Sequence, residues 1–326
     1  MALPPPGVPP AAPPTRPRPG GLAAVPFAGH LLPLRRLTVA DVLDGAFRII
    51  RAVVGPAAVI VLVVIGPLRF ATNLVLSRVA PEIVGGGLAA LTDLDVFAAA
   101  PADNTLVLTN LLSGLLGYLL SLVASAGVVA LLLTVDRGGP ADVGGPLRLA
   151  FRVLVPTLVA SFLLGALGIA AAIAGAVGSL LLVVIPVLGI LVFVLLVLPL
   201  YVVGTAAFVA LITLVVPVAV AERRGPLATL TRTVQVFARQ PLRIAWITLL
   251  VGVVTAVLAL ALQLPFLLLA GVVPTGGWAI EALGQTAGQV LSVPVSAAAA
   301  LLVYLDVRVR SEAVDLRVRA RALGAG

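Results

Sequence analysis

Cysteine and lysine are absent, histidine occurs once, and charged residues make up only 10% of the 326 positions. Without cysteine there is no disulfide framework, no thiolate nucleophile and no cysteine-ligated zinc. His30 alone cannot build a metal site or a histidine-based acid–base pair. The charged share is far below the roughly 25% of a soluble domain. Instead, hydrophobic residues reach 61% and mean hydropathy is +1.22. All 21 basic residues are arginine, a compositional bias rather than a mechanism, and against 13 acids they leave a net charge of +8.

Between Arg152 and Glu222 the only ionisable side chain is Tyr201. Such a run is too long for a soluble core and long enough for two spanning helices of about 20 residues each. Lipid offers no partner to exposed backbone groups, so apolar runs of this kind are helices or a closed barrel. The alternating polar positions of a barrel strand are missing. The fold class is therefore an all-α polytopic membrane helix bundle. Six spans are expected, near residues 53–76, 106–134, 154–179, 187–220, 244–270 and 284–305. The division between the third and fourth stays open around Pro186, Gly189 and Pro199.

Three segments follow from composition. Residues 1–33, rich in Pro, Gly and Ala, read as an uncleaved disordered cytoplasmic tail. Residues 34–307 form the membrane domain, and residues 308–326 a basic cytoplasmic segment. With six spans, the arginines at 35, 36, 48 and 51, at 137, 148 and 152, at 223, 224, 232, 239 and 243, and from 308 to 321 share one side. The other side has Arg69 and Arg78, with Glu82, Asp93, Asp95, Asp103 and Glu281. Arginine biases short loops toward the cytoplasm, which places both termini there and the chain in the plasma membrane.

Amphipathic surface helices are expected before spans one, three and five. In LTVADVLDGAFRIIR, Val39, Val42, Leu43, Ala46, Phe47 and Ile50 recur at helical spacing, while Asp41, Asp44, Arg48 and Arg51 take the other face. Thr38 and Asp41 have the spacing of a capping box. Asp44 and Arg48 are spaced for an i,i+4 pair. Similar segments, GPLRLAFRVLVP and RGPLATLTRTVQVFARQPLRIAW, precede spans three and five and suggest three copies of one unit: a surface helix, a span out and a span back. Arginines on these helices would meet anionic lipid headgroups. The aspartates need a protein cation, so an ion-pair cluster of Asp41, Asp44, Arg48, Asp306, Arg308, Arg310 and Glu312 is expected at the cytoplasmic face.

Small residues mark two packing ridges: Gly284, Gly288, Ser292, Ser296 and Ala300 in span six, and Ser113, Gly117, Ser121 and Ser125 in span two. Pro265 and Pro294 are expected to kink spans five and six. Gln263, Gln285 and Gln289 are the candidate intramembrane polar contact.

The strings VYLDVRVRSEAVDLRVRARA, LTVADVLDGAFRIIR and VPVAVAERRGPLATLTRTVQVFARQPLR resemble the glycerophosphoryl diester phosphodiesterase membrane-domain family of actinobacterial multi-span proteins. The resemblance covers most of residues 36–320 and is carried chiefly by Asp44, Phe47, Arg48, Tyr304, Asp306, Arg308, Arg310, Glu312 and Asp315. The segment 165–200 is longer and more apolar than the family's usual turn there. The resemblance implies a six-helix membrane fold and no reaction. A catalytic barrel needs roughly 250 further soluble residues, which the chain lacks. The reading is a non-enzymatic membrane protein that scaffolds partners or organises lipid at the inner leaflet. A transporter or lipid-handling permease is the alternative, and an intramembrane enzyme comes third. No cofactor, metal or nucleic-acid partner is expected.

Overall fold

The computed structural model describes residue 32 and residues 37–79, 104–180, 191–273 and 276–312. The rest of the proline-rich tail, most of the 77–105 loop, the junction between the third and fourth spans, and the arginines of the C-terminal segment beyond residue 312 lie outside the described residues.

Nine α-helices are described: α1 Val39–Ala52, α2 Val54–Val79, α3 Asn104–Asp136, α4 Gly144–Arg152, α5 Leu154–Leu180, α6 Leu198–Glu222, α7 Pro226–Arg239, α8 Pro241–Ala270 and α9 Gly277–Glu312. Six are long and apolar enough to cross a membrane, α6 together with the turn Phe193–Val197 before it. The order is a short helix and two long ones, three times over, as the arginine-bearing segments suggest. Each short helix is separated from the next span by one residue, Val53, Val153 or Gln240. Proline explains the break. Pro56, Pro156 and Pro241 lack the N–H that would carry the helix on, yet fit the first turn of the span, where no intrahelical donor is needed.

Where described, the spans begin and end within a few residues of the expected places, except the last; the expected start of the fourth lies outside the described residues. Gly277–Glu312 is continuous and reaches well beyond residues 284–305 at both ends. The helices continue through Pro265 and Pro294. Before α6 the backbone widens into a π turn over Phe193–Val197, closed by the Leu198 N–H donating to Phe193 O. Pro199 has no N–H to give one turn back, so the helix is wound more loosely there.

Helix α9 is the hub and touches α1, α2, α3, α6, α7 and α8. Its run Val295–Leu305 is almost wholly buried, and the four alanines at 297–300 let neighbours come close. The ridge on this helix meets α8: a Cβ on Gly288 would lie 2.9 Å from Ala259 O, and one on Gly284 2.6 Å from Phe266 Cβ. The second expected ridge is not a close interface at its glycine, since Gly117 has open space around it. By contrast α5, the turn Phe193–Val197 and the first half of α6 stand at the edge, with Phe162, Leu167, Leu195 and Leu200 exposed. Exposed apolar side chains on this scale suit lipid, not water.

Gly288→Ala is therefore expected to push α8 from α9 and cost about 1–3 kcal/mol, the range for overpacking. Gly252→Ala, in open space on α8, serves as the control and should be neutral or slightly stabilising. Thermal unfolding in detergent measures both.

Candidate functional site

The arginine-rich end of the bundle is built on three acids, one closing the second span of each unit: Asp136 and Asp306 are buried, and the Glu222 side chain is 6% exposed. Asp136 ends α3, Glu222 ends α6, and Asp306 lies in the last two turns of α9. Each is used as an acceptor. Asp306 Oδ1 takes the Leu37 N–H at 2.8 Å, and the carboxylate pairs with Arg310 Nε at 2.9 Å and Arg243 Nη2 at 3.1 Å. Both arginines also donate to Leu37 O. One carboxylate thus ties the starts of α1 and α8 to the end of α9.

Glu222 does the same for the second unit. Its Oε1 accepts from Tyr304 Oη and from Arg232 Nε, each at 2.9 Å, and its Oε2 lies 2.9 Å from Arg224 Nε. Arg308 donates to Tyr304 Oη at 3.2 Å and sits over the tyrosine ring. Tyr304 is completely buried, and Arg232 is 7% exposed. Arg223, the residue after Glu222, adopts a left-handed conformation with φ of 50° and turns the chain toward α7 within three residues. Asp136 Oδ1 accepts the Leu32 N–H at 3.0 Å. Leu32 and Leu37 are each 1% exposed, so the chain before α1 is pinned at two points beneath the bundle.

The cluster expected from the sequence assembles differently. Asp306 and Arg310 are joined, and Arg308 lies one turn away on Tyr304. Asp41 closes the capping box: Thr38 N–H donates to Asp41 Oδ2 at 2.8 Å, and Asp41 N–H to Thr38 Oγ1 at 3.2 Å. Asp44 and Arg48 stay outside. Both are exposed, without an ion pair to each other or to Arg308 and Arg310 among the described residues. The physical reason is the roll of α1, which buries Val42, Ala46, Ile49 and Ile50 and sets Gly45 against Leu302, turning residues 44 and 48 outward. The Glu312 side chain lies outside the described residues.

Once these bonds are made, the end remains positive. Arg48, Arg51, Arg137, Arg148, Arg152, Arg223 and Arg239 are exposed there, against exposed Asp44 and Asp142. Asp142 is turned onto the start of α4, where hydrogen bonds donated by the backbone N–H groups of Gly145, Gly144 and Val143 hold its carboxyl below the usual range. Partial desolvation, then the like charge of nearby Arg223, lowers the Arg137 guanidinium, with Asp136 opposing. Exposed Phe151, Leu227, Leu242 and Trp246 lie among these arginines. Apolar and cationic side chains on one rim match the layer where lipid tails meet headgroups.

The glutamines lie elsewhere, between α2 and α9. Asn73 Nδ2 donates to Gln285 Oε1 at 3.3 Å, and Gln285 Nε2 to Glu281 Oε1 at 3.2 Å. With its amide turned to suit its partner, Gln289 Oε1 accepts from Arg69 Nε at 3.0 Å. Gln263 is not joined to this chain among the described residues; its backbone carbonyl faces Gly284. Counting arginines groups Arg69 with Arg78 on the far side although it falls within the expected first span, and the structure places it inside α2.

Fold and site together define a multi-pass, all-helical membrane protein with six candidate spans and one arginine-rich end. No protein-family model, curated protein or solved structure matches the chain.

Proposed function

We propose that the protein is a non-enzymatic, multi-pass component of the plasma membrane that gathers anionic lipid headgroups at its arginine-rich cytoplasmic end. Both termini lie on that side in this reading, and the opening and closing strings resemble the glycerophosphoryl diester phosphodiesterase membrane-domain family. The supporting observation is the division of charge. Asp136, Glu222 and Asp306 at that end are committed to holding helices together, whereas seven arginines are exposed beside apolar side chains against only two exposed acids, Asp44 and Asp142. The charge of Arg223 bears on Arg137, which belongs to a different unit, and a phosphate bound between them would relieve that repulsion.

Replacing Arg48, Arg51, Arg137 and Arg223 by Gln is expected to weaken binding of phosphatidylglycerol. At about 1 kcal/mol per arginine, the loss is roughly a thousandfold. Native mass spectrometry of protein released from nanodiscs measures it, and unchanged lipid retention would remove this reading. A second reading, a transporter or lipid-handling permease, is favoured by one observation: the polar seam from Arg69 to Glu281 within the membrane-spanning part of α2 and α9.

A further inference from the structure

The seam between α2 and α9 holds a charge that no carboxylate pairs with among the described residues. Arg69 lies about 22 Å along α2 from its start at Val54, and Gln289 roughly 18 Å along α9 from Gly277, at 1.5 Å per residue. Arg69 is also about 15 Å from Val79, the other end of α2, so both positions lie inside the spans and not at the tips of helices that cross about 30 Å of hydrocarbon. The remaining charged residues of the described spans lie near helix ends, on the carboxylate network or at the outer tips. An arginine at this depth is costly and as a rule marks a path or a ligand.

Arg69 has five N–H donors in a planar fork. Two of its nitrogens, Nε and Nη2, reach the Gln289 oxygen, at 3.0 and 2.5 Å. Among the described residues no carboxylate pairs with it. The nearest acid on the seam, Glu281, is two helical turns farther out and accepts from Gln285. An amide oxygen satisfies donors but does not neutralise the charge. The unmet requirement is an anion, and the fork geometry suits a phosphate-type oxyanion in particular.

We propose that Arg69, with Gln289 beside it and Asn73 and Gln285 one turn outward, forms an intramembrane binding site for a phosphate-class oxyanion. The guanidinium carries the charge recognition. The amides supply the polar surroundings that the ligand's remaining oxygens need in a dry seam. This deepens the permease reading by naming its substrate class, and rests on that reading for a path but not for binding itself. The oxyanion can come from a lipid headgroup or from free phosphate, since the chemistry at Arg69 is the same.

Two arms separate these sources: native mass spectrometry of protein from phosphatidylglycerol nanodiscs, and titration of detergent-solubilised protein with inorganic phosphate. In at least one arm the native chain should hold one ligand that Arg69→Gln binds at least tenfold more weakly. Gln289→Glu supplies an internal carboxylate to the guanidinium. It should cause the same loss while thermal stability is kept or raised, which separates lost binding from lost folding. Loss in the lipid arm identifies a headgroup site, and loss in the phosphate arm a free-anion site. Full stoichiometry and affinity in both variants would overturn the proposal. A native protein that binds but moves no lipid or phosphate in proteoliposomes would remove the permease reading and leave the site standing.

Discussion

Asp306→Ala is expected to lower stability by about 3–5 kcal/mol, the range for removing one side of a buried ion pair. The side chain is 3% exposed and is shared by Arg310, Arg243 and the Leu37 N–H. Removing it leaves two guanidiniums facing each other and an amide without an acceptor, where α1, α8 and α9 meet. Thermal unfolding in detergent should show the loss. Asp306→Ala combined with Arg310→Ala should recover part of it, because one uncompensated charge leaves with the second change. A double variant no better than the sum of its singles would show that the pair does not act as a unit.

Glu222→Ala should have a comparable effect in the second unit, about 3–5 kcal/mol, because Arg232 beside it is buried and would lose its carboxylate. Tyr304 loses its acceptor in the same step, and a buried hydroxyl without a partner adds to the cost. Glu222→Gln separates the two contributions. The amide oxygen can still accept from Tyr304 but cannot neutralise Arg232, so it should be milder than Glu222→Ala yet well below the native chain. Equal stability of Glu222→Gln and the native protein would mean that the charge on Glu222 contributes nothing. Arg224 is 38% exposed, and its share of the ion pair is small because solvent screens it.

The six spans were legible because charge is nearly absent from the runs that form them, and the capping box because Thr38 and Asp41 sit just before a helical periodicity. The boundaries of α9 were not. Its first turns, from Gly277, carry Glu281, which looks like loop until it is seen to bond along the helix to Gln285 and through it to Asn73 of α2. The expected partner for Asp44 failed because spacing gives the face of a helix but not its roll, and Gly45 packing on Leu302 sets the roll. Asp136 and Glu222 went unnoticed as buried acceptors. A signal was present: LLLTVD, VAVAE and LVYLD each end an apolar run with an acid at the same place in the repeated unit. Lining up the three units would have singled out Asp136, Glu222 and Asp306 together. The two leucines of the N-terminal segment could not be found that way, because they reach the acids through backbone N–H groups across more than a hundred residues, and Arg243 could not because it comes to Asp306 from a different helix.

Placement of all three short helices at one end of the bundle, with that end inside the cell, is tested most directly by single cysteines in a chain that has none of its own. Asp142 and Gly225 are exposed at the arginine-rich end, and Val272 is 78% exposed at the other. With a membrane-impermeant maleimide, Val272→Cys should label in intact cells, whereas Asp142→Cys and Gly225→Cys should label only after permeabilisation. Labelling of Asp142→Cys from the same side as Val272→Cys would contradict the six-span arrangement and the shared arginine-rich face built on it.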